Sequence, residues 1–349
     1  MSIKYRLLSM ILIPTLWGIL LTAWFAHSRY AVYEETRTIV ELTRLATVAS
    51  ELIHELQKER GRSSGFFNSQ GGKFGSEMRE QRRVTDVKLT AYRALLDSGK
   101  QHGTLNASRK KIAENLSRLA DNRTAIDQLQ GSADSAIGYY TQTIAALIES
   151  IHRIGELVTD NKTIFQALGN YTNLIELKER TGIIRAVYAG VFGRNSFSEY
   201  LYRRALELEA ESRIFDQLFR ANALPDYLAF YDKTLDDDAV REVDGIKRAA
   251  LENHAAQAFN VAPERWFGLI TAKIDLQKKV ENHIAEDILQ QAADAMATEQ
   301  QNLMWLAGLF LLFTGLSIWI NIHIYHGIVA PLRTASWMLG RLARGDFNF

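Results

Sequence analysis

Between residues 27 and 302 the sequence holds only two prolines, Pro225 and Pro263, and its apolar residues recur at steps of three and four with little strict alternation. That period lays apolar side chains along one stripe of a helix and argues against half-buried strands. The fold class it predicts is all-α. A helix is expected over 28–67, with the stripe Leu42, Leu45, Ala49, Leu52 and Leu56, stopped by the turn Asn68–Gly72. Further helices are expected over 74–97, 107–129 and 132–158, with a loop at 98–103 and a break at Gly131. Asp160 is expected to cap a helix through Phe192, and Ser198 the next one to Arg220. Pro225 suits the first turn of a short helix reaching Leu235, Asp236–Asp238 favours the start of one to Phe259, and Pro263 opens the last. About eight helices pack naturally as two antiparallel four-helix bundles.

Two apolar runs flank this stretch. Leu7–Ala26 and Leu303–Ile324 are each about twenty residues without a formal charge, enough to cross a hydrocarbon core. Lys4 and Arg6 precede the first run, and Arg333, Arg341 and Arg344 follow the second. The positive-inside rule then puts both termini in the cytoplasm and 27–302 outside. The expected division is a 1–6 tail, a 7–26 span acting as an uncleaved anchor, a 27–302 sensor domain, a 303–325 span and a 326–349 tail. Lys and Arg number 41 against 40 Asp and Glu, a net charge of +1, which gives no broad field to draw nucleic acid. The chain has no cysteine, which excludes disulfides, thiolate metal sites and cysteine nucleophiles.

The apolar stripes are broken by charge. Continued by steps of three and four, the first stripe runs from Leu56 to Glu59, Ser63 and Phe66. A second seam reads Leu168, Thr172, Ile175, Glu179, Gly182, Ala186 and Ala189. Each therefore carries a carboxylate where a core residue is expected, within the matching triplets Lys58-Glu59-Arg60 and Lys178-Glu179-Arg180. A buried carboxylate needs a cation or hydrogen bonds. Arg60, Arg62, Arg180 and Arg185 are at hand, and the small residues of the second seam would admit a helix or a small ligand. Arginines converging on a small cavity hold a planar oxyanion well, with Glu59 and Glu179 orienting them. The alternative is that both triplets are solvated faces with ordinary pairs along each helix.

The wording around Arg60 is more specific. Leu56-Gln-Lys-Glu-Arg-Gly61, Ser63-Ser-Gly-Phe-Phe67, Gly72, Phe74 and Gln81-Arg-Arg-Val-Thr-Asp86 resemble the opening of the NIT domain, the nitrate- and nitrite-sensing module of bacterial receptors. Leu177-Lys-Glu-Arg-Thr-Gly-Ile-Ile-Arg185 resembles that family's second motif-bearing helix, and Trp266–Asp275 with Val280-Glu281 its closing helix. The resemblance covers roughly 42–292. It implies two four-helix bundles and nitrate or nitrite held by arginines of different helices. By position these are Arg60 and Arg185, with Arg62 and Arg180 supporting and a later arginine, Arg241 or Arg248, completing the site. Arg82 matches a motif too, with a salt bridge to a residue such as Asp86 an equal reading.

The tail Gly327-Ile-Val-Ala-Pro-Leu332 through Gly345-Asp346 resembles the first helix of a HAMP relay, which the chain leaves at Phe349 before a connector or second helix. The expectation is a two-pass inner-membrane receptor, a homodimer in contact with lipid, that binds nitrate or nitrite and signals through the second span to a relay cut short. It uses no cofactor or metal, binds no nucleic acid and has an unnamed downstream partner. An enzyme is not expected: the chain offers no metal-spaced histidines, no phosphate loop and no nucleophile triad. The rivals are the same bundle tuned to another small ligand, and a scaffold that binds a protein partner with purely structural arginines.

Overall fold

The computed structural model describes residues 3–98, 103–159, 161–255 and 259–342, and among these every element is helical. In chain order they are α1 (Ile3–Asn68), α2 (Gly75–Ser98), a 3-10 turn (Gly103–Leu105), α3 (Asn106–Ser117), α4 (Leu119–Asp127), α5 (Ala133–Leu157), α6 (Lys162–Arg194), α7 (Glu199–Asn222), α8 (Pro225–Leu235), α9 (Asp238–Glu252), α10 (Pro263–Ile324), a π turn (Tyr325–Val329) and α11 (Ala330–Leu342).

Local chemistry explains most boundaries. Ser132 accepts from the Ser135 amide in a capping box at the start of α5, and Ser198 accepts from the Leu201 amide at α7. Pro225 opens α8 where its missing N–H costs nothing. Asp160 lies outside the described residues. The cap of α6 is Asn161, whose Oδ1 accepts from the Ile164 amide at 3.0 Å. Two expected helices end differently. The 107–129 helix divides at Arg118 into α3 and α4, and α9 stops at Glu252 rather than Phe259. Pro331 cannot donate to the carbonyl four residues back, and the turn before it shifts to π register, with the Ala330 amide on Tyr325 O.

The chain forms two compact units, Ile39–Ala292 and a second made of 1–38 with 293–349. In the second, Gly18 leaves no room for a Cβ beside the Phe313 ring. The helix Pro263–Gly340 is long and apolar enough to cross a membrane, and it is the single such candidate among the described residues. Part of the other expected span, 7–26, lies outside the residues whose side chains are described.

The larger unit holds two apolar clusters. One gathers Ile39–Leu56 of α1, Leu168–Leu177 of α6 and Val280–Ala292 of α10 with α2, α3, α4, α5 and α8. The other gathers Ile184–Phe192 of α6, Ala205 and Leu208 of α7, Val243 and Ala250 of α9, and Trp266 and Ile270 of α10. α6 and α10 serve both. Where each passes from one cluster to the other, its buried residues turn polar: Lys178, Glu179, Thr181 and Arg185 on α6, and Gln277 on α10. α1 does the same past Leu56, with Gln57, Glu59, Arg60 and Ser63. A buried polar layer thus follows the point at which the apolar stripes break.

Candidate functional site

Arg60 of α1 and Glu179 of α6 form the centre of this layer. Arg60 Nη1 donates to Glu179 Oε1 at 2.6 Å and Nη2 to Oε2 at 3.0 Å, a two-pronged pair between side chains that are almost fully buried. Gln57 Nε2 donates to Glu179 Oε2 at 2.8 Å, and Arg60 Nη1 also reaches Thr141 Oγ1 of α5 at 3.1 Å. Glu179 thereby fixes the guanidinium and neutralises it.

Arg185, two turns further along α6, is only 7% exposed and makes no ion pair within 4 Å among the described residues. Nη1 donates to Thr271 Oγ1 at 3.1 Å, and its guanidinium lies over the Phe267 ring, 4.7 Å from the centroid. Both partners come from α10. Burial, with Arg60 beside it, lowers its pKa to about 10, so it remains charged at neutral pH.

The two arginines cross. A Cβ added to Gly61 of α1 would stand 2.7 Å from Arg185 Nη2, and one added to Gly182 of α6 would stand 3.2 Å from Arg60 Nη2. Each guanidinium occupies the space that a glycine leaves on the other helix. This close approach is what only a residue without a Cβ allows. The charged groups acting on Arg185 are Arg60, Arg62, Glu179 and Asp275. Of these, Arg60 and Glu179 are buried like Arg185, so two buried guanidiniums share one buried carboxylate and one positive charge is left over. Such a place favours a monovalent anion, because desolvating an unbalanced cation is costly and an added anion removes that cost.

The remaining expected site residues are placed as follows. Arg62 is half-buried and donates through Nη1 to Gln81 Oε1 of α2. Arg180 points away from the pair. Its Nε donates to Glu211 at 2.6 Å and its Nη1 to Glu176 at 2.7 Å, and it lines a cavity of about 520 Å³ with Glu179 and Thr141. Arg241 is exposed at the start of α9, held by Asp236 and Asp238. Arg248 is exposed on the same helix. Glu59 is buried, but the arginine it orients is Arg123 of α4, through bonds of 2.7 and 2.9 Å, with Tyr140 Oη donating to it at 2.8 Å. Arg82 makes its closest pair with Asp127 at 2.8 Å, while Asp86 takes Arg123.

Sequence reasoning missed Thr271, Phe267 and Gly61 as parts of the site, although all three stand in stretches with family wording. It also missed the deepest ion cluster. Lys178 and Lys278 both donate to Glu281, and Ser50 Oγ donates to Glu281 Oε1 at 2.7 Å, tying α1, α6 and α10 together. These cations lower the Glu281 pKa to about 2.

Comparison with known proteins bears on these expectations. A nitrate regulatory protein of Klebsiella oxytoca is 26% identical over 277 residues, covering 78% of this chain and 68% of that protein. The structure of the NasR transcription antiterminator matches with a TM-score of 0.70 at 23% identity, over 85% of this chain and 82% of that one. These relatives overturn the reading of the chain as a two-pass inner-membrane receptor with a HAMP relay. The curated relative it resembles over most of its length is named a nitrate regulatory protein. The physical reason for the error is that length and apolarity are all a span requires of a sequence, and they do not say what a helix serves. Residues 51–289 match the model of the NIT family, described as nitrate and nitrite sensing. Spanning most of the chain, and with the buried arginines inside it, that match shows that the chain belongs to the NIT family of nitrate- and nitrite-sensing proteins.

Proposed function

We propose that the larger unit is a nitrate- or nitrite-responsive regulatory sensor that holds the anion between Arg60 and Arg185. The observation that carries this is the buried Arg185 guanidinium, which has no carboxylate within ion-pair distance and lies beside a second arginine already neutralised by Glu179. A planar monoanion placed against both guanidiniums accepts hydrogen bonds in their plane and supplies the missing charge. Phe267 covers one face of Arg185, which leaves its edge for the ligand. The two apolar clusters support two helical bundles joined through α6 and α10, with the anion in the polar layer between them. Because α1, α6 and α10 all meet at this layer, binding favours the conformation in which those helices sit closest.

The test is a calorimetric titration of the full chain with nitrate, nitrite and chloride. The expected result is saturable binding of nitrate or nitrite, tighter than chloride, and lost in Arg60→Ala and Arg185→Ala. Binding that ignores both substitutions refutes the proposal.

A further inference from the structure

Arg60 and Arg185 are both buried, so an anion that reaches them must pass some element that gives way. Gly61 and Gly65 lie one turn apart on the same face of α1. The Arg185 guanidinium fills the space over Gly61. The Phe74 ring fills the space over Gly65, where an added Cβ would stand 2.7 Å from both Cδ2 and Cε2 of the ring. Phe267 of α10 meets both of them: its centroid is 4.7 Å from Arg185 Cζ and 6.3 Å from the Phe74 centroid. Arg185, Phe267 and Phe74 therefore form one row along the glycine face of α1, with Phe74 at its end. Gln70 to Lys73 are exposed and Phe74 is half-buried, so its ring stands between solvent and the rest of the row.

Seating the ring there has a conformational cost. Phe74 has a φ of 68°, in the left-handed region that a bulky side chain seldom adopts. Gln70, at 54°, and Gly71, at 80°, join it in the same loop. The loop is tied down lightly. The Gly71 amide donates to Phe66 O and the Gly72 amide to Ser69 O, each at 3.0 Å, and the Met78 amide donates to Phe74 O at 2.8 Å. Lys73 meets Glu264 of α10 at 3.4 Å in an exposed pair, which holds little. A strained backbone persists only while its surroundings hold it, and here the hold is an aromatic ring in a glycine notch. Such a segment leaves its place more readily than the packed helices around the arginines.

We propose that Phe74 is the lid residue of the anion site. Seated over Gly65 it closes the Arg185 end of the polar layer, and its release with the 69–74 loop lets nitrate or nitrite pass. This rests on the reading that the anion lies between Arg60 and Arg185. A lid sets a barrier common to entry and exit, so loosening it changes the rates of binding and release together and leaves the affinity nearly as it was.

The experiment measures nitrate association and dissociation on the full chain by stopped-flow tryptophan fluorescence, Trp266 being hydrogen-bonded to the Arg185 carbonyl at 3.0 Å. Hydrogen exchange at the Gly71, Gly72 and Met78 amides gives a readout that needs no ligand. Gly65→Ala displaces the ring with its new Cβ, Phe74→Gly removes both ring and strain, and Phe74→Leu keeps an apolar side chain in the notch. Gly65→Ala is expected to speed exchange at the three amides. Gly65→Ala and Phe74→Gly are both expected to raise the two nitrate rates together, by roughly fivefold or more, with the affinity within about threefold of the parent. Phe74→Leu is expected to stay closer to the parent than Phe74→Gly. The proposal is overturned by parental nitrate rates in Gly65→Ala and Phe74→Gly, even where exchange is faster, since the loop would then guard nothing while the anion site still stands. A change confined to one of the two rates also overturns it, because Phe74 would then support the bound anion rather than admit it. A parent that binds no nitrate overturns the anion site itself, and the lid with it.

Discussion

Replacing Gly61 by alanine tests the crossed arginines with a single methyl group. The new Cβ would stand 2.7 Å from Arg185 Nη2, too close for that atom to stay, while its 3.4 Å to Cζ is ordinary contact. The guanidinium must move, and Phe267, centred 4.7 Å away, limits where it can go. A shift large enough to clear the methyl breaks the 3.1 Å bond to Thr271 and disturbs the stacking on the ring. A hydrogen bond of this kind is worth about 1 kcal/mol net, and a desolvated cation–π contact up to about 2 kcal/mol. Their sum of ~1–3 kcal/mol, where the anion has to draw the guanidinium back, corresponds to roughly a fivefold to 150-fold loss of affinity. The helix itself gains from the change, since alanine is favoured over glycine within a helix by ~0.5–1 kcal/mol. Gly61→Ala is therefore expected to lower the melting temperature only by the part of that loss the helix does not regain, while nitrate affinity in calorimetry falls at least fivefold. Gly182→Ala, with 3.2 Å to Arg60 Nη2, asks for a smaller adjustment and should lose less. Parental nitrate affinity in Gly61→Ala would refute the reasoning, as would a greater loss in Gly182→Ala.

Other outcomes follow from the same layer. Arg60→Ala leaves Glu179 buried without its cation and is expected to cost about 3 kcal/mol or more in denaturant unfolding. Arg185→Ala leaves no carboxylate stranded and loses only the Thr271 and Phe267 contacts, so in the absence of nitrate it should cost less than Arg60→Ala, about 1–3 kcal/mol. Lys178, Lys278 and Ser50 stabilise the charged form of Glu281, whose pKa falls from 4.5 to about 2. Its contribution is complete above pH 4.5 and is lost as pH falls toward 2, so Glu281→Gln should flatten the pH dependence of stability in that window while being less stable at pH 7. Burial, with Lys178, Lys278 and Lys58 outweighing Glu281, holds His54 neutral with a pKa of about 2. Unfolded histidine takes its proton near pH 6.5, so stability is expected to fall from there downward, by about one proton less in His54→Gln.

The helices were legible because periodicity and caps are local properties. Ser198, Pro225 and Pro263 start their helices where the sequence places them. The site was legible only as a set of residue types on the right faces. Glu59 and Glu179 occupy equivalent places in matching triplets, yet one binds Arg123 and Tyr140 and the other binds Arg60. Spacing along a helix states which face a residue takes, not which neighbour that face meets. The small seam at Gly182 was read as room for a helix or a ligand, whereas the space beside Gly182 is taken by the Arg60 guanidinium. Arg241 had the right chemistry, but two aspartates of its own helix start take it first. Thr271 and Phe267 complete the Arg185 environment from a helix far along the chain, and no local pattern announces such a partner.

The central claim concerns where the anion sits. A crystal structure of the chain grown in nitrate locates it directly. The account predicts a planar anion within hydrogen-bond distance of both Arg60 and Arg185, with the Arg60–Glu179 pair in place beside it. Nitrate bound elsewhere, with an empty space between those two guanidiniums, would contradict it.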